Sequence, residues 1–336
     1  MKSQWLKNSF KIGVSILISL LALYLSTRNV QWDRLRSILG TAKPIPILLA
    51  LSLSVITLTV RAIRWRVLLN PFQKISPLVL FRWQVGGLVI NNLFPLRVGE
   101  FARAYWAGHK SSIPKSTIFA TIVVERIADV SSIAAVVGCL LLWVGMGGTH
   151  TVFRGSHIAF AIAAIGFLIV LMNVILSRSY HRSFLERLKK LIPVHVRPVF
   201  ENFLSGLKIF TDKNEIIKVL MLSFLIWTVD ITVITIFSRS LGLNLTWTQG
   251  GLTIGGLILG VMVPAAPGAA GTYEAGGVGA LTLMGFDKTL ALSFIFLLHA
   301  SQYIFFLTLG IPTLIAEGFS FKQISTEEKS VKDDVP

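Results

Sequence analysis

The sequence predicts an all-α, polytopic integral membrane protein of about six full spans and two re-entrant helical hairpins, arranged as an inverted repeat. Three observations carry that expectation. Apolar runs of bilayer-crossing length recur along the chain, proline and glycine break two of them, and an offset of 169 residues maps much of the first half onto the second.

The apolar runs fall near 10–27, 44–68, 78–96, 115–147, 157–177, 216–240, 248–285 and 288–317. A spanning helix needs about 20 such residues. Only 14% of the 336 residues are charged and 53% are hydrophobic, whereas soluble domains carry about a quarter charged residues. The run 10–27 has no small-residue cleavage site after it and is read as a retained first span. The single cysteine, Cys139, lies in an apolar run; disulfides are excluded, and core packing is its expected role.

Two runs do not read as simple spans. The run 78–96 ends in Asn91-Asn92-Leu93-Phe94-Pro95 and passes into Arg97-Val98-Gly99-Glu100. The run 248–285 is interrupted by Pro264-Ala265-Ala266-Pro267-Gly268-Ala269-Ala270-Gly271. Proline removes a backbone donor, and broken backbone survives at membrane depth only where protein or a wet cavity satisfies it. Each run is therefore expected to form a re-entrant hairpin. Gly86-Gly87-Leu88 precedes Pro95 as Gly255-Gly256-Leu257 precedes Pro264, and Gly99 follows the first proline as Gly268 follows the second.

The expected organisation is one transmembrane domain over 1–317, with repeat 1 at about 10–147, repeat 2 at about 157–317, and a disordered cytoplasmic tail at 318–336. Three expected spans (115–147, 157–177 and 216–240) separate the hairpins, so the two enter from opposite faces. The formal charge of +16 would suit a nucleic-acid partner in a soluble chain. In this one it follows from basic cytoplasmic loops, and no nucleic acid is expected. One set of loops holds 24 Lys and Arg against seven on the other, which places both termini in the cytoplasm and the protein in the inner (cytoplasmic) membrane. Apolar residues at helical spacing in 184–192 and 199–210 predict amphipathic helices. They would lie on an anionic leaflet or dock a regulatory partner.

Ionisable residues inside the apolar runs are the functional candidates. Glu125, Arg126 and Asp129 fall within five residues and, left unpaired at depth, would add roughly 8–10 kcal/mol to the cost of insertion. They form a structural salt bridge or face a polar cavity. Arg97, Glu100 and Arg103 follow Pro95, and arginine offers a planar fork of donors suited to phosphate oxygens. Arg97, Glu100, Arg103 and Arg126 are the candidates for a lipid headgroup. Glu125, Asp129, Glu274 and Asp230 are candidates for a charge network or proton uptake, with Glu274 free to pair with a hairpin arginine. Pro95, Gly99, Pro264, Pro267, Gly268 and Gly271 shape the hairpin backbones, and His299 and Gln302 are lesser candidates. The chain has no GxxxxGK[ST] loop, no HExxH or Cys/His cluster and no GxSxG elbow, so no cofactor or metal is expected.

The run Pro95-Leu96-Arg97-Val98-Gly99-Glu100-Phe101-Ala102-Arg103 resembles the Pro-x-Arg-x-Gly-Glu-x-x-Arg signature of the lysylphosphatidylglycerol synthase transmembrane region, or flippase-like domain, family. Glu125-Arg126-Ile127-Ala128-Asp129 is similar to its Glu-Arg-x-x-Asp element. Pro264 to Glu274 is similar to its Pro-x-x-Pro-Gly-x-x-Gly-x-x-Glu element, with Ala269 where a second glycine is common. The resemblance runs over roughly 10–317. It implies a flippase-type domain which, in two-domain members, carries aminoacylated phosphatidylglycerol across the membrane while a cytosolic domain attaches the amino acid. Nothing in these residues corresponds to that cytosolic domain, so lysyl transfer is not expected.

The leading expectation is membrane translocation of an anionic phospholipid, an aminoacylated lipid or a polyprenyl-linked lipid, with the headgroup held between the hairpins. One alternative is a non-transporting partner of a lipid or glycan biosynthetic enzyme. Another is a lipid-modifying enzyme, such as a phosphatidylglycerol lysyltransferase.

Overall fold

A computed structural model describes residues 2–94, 98–146, 197–207, 212–263 and 265–317. The expected span 157–177, the amphipathic stretch 184–192, the tail, and Pro95, Arg97 and Pro264 lie outside the described residues. Every regular element among those described is helical.

Helix α1 (Lys2–Thr27) leads to a short α2 (Trp32–Gly40) and then α3 (Pro44–Leu69). Pro44 sits at the helix start, where its missing N–H would have no intrahelical partner anyway. α4 (Pro77–Leu93) and α5 (Val98–Lys110) form a first helical hairpin, followed by the long α6 (Lys115–Met146). After α7 (Arg197–Gly206) come α8 (Lys213–Ser238), α9 (Trp247–Met262), α10 (Thr272–Leu283) and α11 (Lys288–Ala316). α9 and α10 form a second hairpin around a 3₁₀ turn, Pro267–Ala269. Asp212 caps α8, Asp287 caps α11, and Thr246 with Gln249 forms a capping box on α9.

Four of the described helices are long and apolar enough to cross a membrane: α3, α6, α8 and α11. The protein is a multi-pass membrane protein. Large apolar side chains such as Leu17, Leu48, Met221, Ile304 and Ile315 point outward, as lipid contact allows. Cys139 is exposed on α6, which corrects the expected core role; lipid solvates a thiol on a span without burial by protein.

The 169-residue offset recurs in the helix bounds. Displaced by that amount, α3 coincides with α8, and α4 with α9 to within a residue. The starts of α6 and α11, Lys115 and Lys288, are 173 apart, because the second hairpin has the longer turn. Gly99 and Gly268, matched in sequence, consequently occupy different places. Gly99 lies in α5, its backbone against the Gly87 carbonyl of α4. Gly268 lies in the turn, with φ +64°.

Both hairpins close through glycine. A Cβ at Gly99 would strike the Gly87 carbonyl, and one at Gly276 of α10 would strike the Gly256 carbonyl of α9. Without Cβ atoms the arms approach closely, as small residues allow in membrane helices. At the open end of the first hairpin, Glu317 beyond α11 accepts from Lys110 Nζ at 2.6 Å and from Trp83 Nε1 at 3.3 Å. α7 packs on the start of α6, where Thr117 Oγ1 donates to the Asn202 carbonyl at 2.8 Å. Its contacts are with protein as well as with any leaflet.

Candidate functional site

Charged side chains from four helices converge beside the first hairpin. Arg64 of α3 is buried, 2.5 Å from Asp129 and 3.6 Å from Glu125 of α6, and it donates to Ser223 Oγ of α8 at 2.8 Å. Arg103 of α5 pairs with Glu125, and its guanidinium lies over the Trp65 ring, 4.0 Å from the centroid. Arg61 sits 3.1 Å from Asp230 of α8 and 3.5 Å from Asp129. Arg126 stands 3.1 Å from Glu100 and 3.3 Å from Asp129. Four arginines thus meet four carboxylates. Mutual compensation is what permits such charge density away from water.

The four arginines are not equivalent. Arg64 and Arg103 are enclosed, and each is committed to carboxylates. Arg126 keeps 38% of its side chain exposed and lines two adjoining cavities of about 370 and 490 Å³. Asp129, its partner, is shared by three arginines. Arg126 can therefore turn toward another anion without leaving Asp129 unpaired. Glu100, its other partner, also faces both cavities, where water can reach it.

A second polar group belongs to the second hairpin. The Glu274 carboxylate accepts from the Gly271 N–H at 2.6 Å, closing the start of α10, while its other oxygen meets His299 Nδ1 of α11 at 2.6 Å. Its partner is a histidine of the last helix rather than an arginine of the first hairpin. The geometry explains this choice: Tyr273 stacks on His299 with centroids 4.1 Å apart, and that stack holds the imidazole against α10. Tyr273 also donates to Gln302 at 3.1 Å. Tyr303 spans the two hairpins: its hydroxyl donates to the Asn92 carbonyl, and its ring fills the space where Gly268 lacks a Cβ.

The structure thus brings Glu100, Arg103, Glu125, Arg126, Asp129 and Asp230 together and sets Glu274 apart, buried beside Tyr273 and His299 of the opposite cavity wall. Gly99, Pro267, Gly268 and Gly271 lie in or beside the hairpin bends. Sequence reasoning passed over Arg61 and Arg64, which lie in the last turns of α3 before it ends at Leu69. A signal existed: Arg61 and Asp230 are 169 residues apart, so the repeat offset itself maps one onto the other. Tyr303 left no such signal, since an aromatic in an apolar helix looks like packing.

Fold and site together define a polytopic helical membrane protein in which two short helical hairpins flank a charge-compensated cluster. The chain belongs to the family described as lysylphosphatidylglycerol synthase TM region, whose pattern matches residues 12–310. It is similar to the glycosyltransferase AglD of Haloferax volcanii, 26% identical over 358 residues, with 96% of this chain but 57% of AglD covered. A UPF0104 membrane protein of Methanothermobacter thermautotrophicus is 23% identical over 288 residues, covering 79% of this chain and 83% of its own. Another, from Pyrococcus horikoshii, is 26% identical over 273 residues, covering 74% and 79%.

Proposed function

We propose that this protein is a flippase-like translocase that holds the phosphate of an anionic lipid at Arg126, between the two hairpins. The observation that carries the reading is that Arg126 alone among the four clustered arginines lines both cavities while its carboxylate Asp129 keeps two other arginines. A guanidinium in that position can exchange a carboxylate for a phosphate at little electrostatic loss. The hairpins are re-entrant in this reading. α4 and α9, with 17 and 16 residues, reach about 25 Å at 1.5 Å per residue, short of a hydrocarbon core of about 30 Å.

The full arrangement is about six spans with the hairpins as halves of an inverted repeat, both termini cytoplasmic, in the cytoplasmic membrane. Binding at the interface of inverted repeats, beside broken helices, is a recurrent transporter arrangement. Rocking of one repeat against the other would expose the headgroup to each face in turn. With no nucleotide-binding loop in the sequence, a lipid or proton gradient drives it, and no enzymatic step is assigned to the chain.

Reconstituted Arg126→Gln protein is expected to lose at least tenfold in movement of phosphatidylglycerol across proteoliposomes while retaining its folded yield. Unchanged movement removes the assignment. A second reading, a non-transporting partner of a glycan biosynthetic enzyme, is favoured by the match of nearly the whole chain to part of a glycosyltransferase. Purified protein that moves no lipid but copurifies with such an enzyme supports that reading instead.

A further inference from the structure

We infer that the larger cavity is a headgroup subsite for a sugar, so that the lipid held at Arg126 is a glycosylated lipid phosphate; this rests on the phosphate reading above. The two cavities share a wall containing Asn91, Glu100, Arg126, Tyr273 and Gln302. A phosphate at Arg126 would therefore direct the group beyond it into the 490 Å³ space bounded by the tips of both hairpins.

The lining of that space selects among headgroups. An aminoacyl headgroup brings an ammonium, which needs a free carboxylate. Among the described residues Glu100 lines the cavity and faces Arg126, while Glu274 lies behind Tyr273 and His299 with one oxygen on His299 and the other on the Gly271 N–H. Glu274 is closed to a further cation, and Glu100, even when Arg126 takes a phosphate, stays beside that guanidinium, whose positive charge disfavours a second cation there. Apart from His299, which is held by Glu274, the remaining polar groups among the described lining residues are the Asn91, Asn92 and Gln302 amides, beside the rings of Tyr273, Tyr303 and Phe306. Amides that hydrogen-bond hydroxyls, beside aromatic rings against which a pyranose can lie, are the chemistry that recognises sugars. Asn92 adds an independent sign. Its Nδ2 is buried without a hydrogen-bond partner among the described residues, in a residue that lines the cavity, and an unmet buried donor requires an explanation such as a ligand.

The test is competitive retention in nanodiscs, read by native mass spectrometry. The probes are phosphatidic acid, phosphatidylglycerol, lysyl-phosphatidylglycerol and a hexosyl-phosphoryl-polyprenol. The protein is expected to retain the hexosyl lipid at least tenfold over each of the others, about 1.4 kcal/mol of discrimination. Asn92→Ala removes a donor that no described residue uses. It is expected to keep the melting temperature and phosphatidic acid retention while cutting the hexosyl preference to threefold or less.

Equal retention of hexosyl lipid and phosphatidic acid overturns the sugar subsite. So does a preference for the lysyl lipid, a preference for phosphatidylglycerol equal to that for the hexosyl lipid, or an unaltered preference in Asn92→Ala. Undiminished retention of all four by folded Arg126→Gln protein overturns the phosphate reading itself, a separate outcome.

Discussion

The two hairpins share a scaffold and differ in what secures them. In each, glycines bring the arms together: Gly87 against Gly99, and Gly256 against Gly276. The first is then fixed to the spans by charge, since Arg103 reaches Glu125 and Glu100 reaches Arg126. The second is fixed mainly by short-range contacts. Glu274 closes its own helix start, Ser19 of α1 accepts from the Ala266 N–H at 2.7 Å, and Tyr303 packs under the turn. Backbone packing is therefore the common requirement of the hairpin, while the polar chemistry differs between the two sides. One side offers an exchangeable arginine and the other an aromatic and amide wall backed by the Glu274–His299 pair.

Breaking the charged side should have the largest effect. Arg64→Ala leaves Glu125 and Asp129 with fewer partners in a buried setting, and a loss of about 3–5 kcal/mol is expected, measured by denaturant unfolding in detergent. A loss below about 1 kcal/mol would mean that water or lipid already screens the cluster. Gly99→Ala and Gly276→Ala test the shared element. Each inserts a methyl group against a carbonyl of the facing arm, so each should cost about 1–3 kcal/mol. If only one does, the hairpins are not equivalent scaffolds.

Glu274→Gln probes the other side. The amide oxygen can still accept from Gly271 while the pairing with His299 weakens, so about 1 kcal/mol is expected, far less than for Arg64→Ala. The smallest effect is a gain. Ala269 holds φ +58°, a left-handed conformation that costs an alanine about 1 kcal/mol. Ala269→Gly should raise the unfolding midpoint slightly, and a lower midpoint would show that the Ala269 methyl contributes packing that outweighs the strain.

Much of this molecule was legible in the sequence. The apolar runs at 44–68, 115–147 and 288–317 reappear as α3, α6 and α11 within two residues at each end, because bilayer thickness imposes length and apolarity on any spanning helix. The breaks at 78–96 and 248–285 were readable as well, since proline and glycine act on their own backbone. The pairing of ionised groups was not. Glu125, Arg126 and Asp129 announced that compensation was needed, but not that Arg64 and Arg61, from a helix some sixty residues away, would supply much of it.

Residue order alone established that the chain is helical and membrane-embedded, where its hairpins bend, and that its buried charges must find partners. These are local consequences of residue type and of the cost of placing charge in hydrocarbon. The packing of the helices settled which partners they found, that Arg126 lines both cavities where Arg103 lines one, and that Tyr303 joins the two hairpin tips. Those outcomes depend on how separate helices are rotated against one another, and helix periodicity, a property of a single segment, does not encode that rotation.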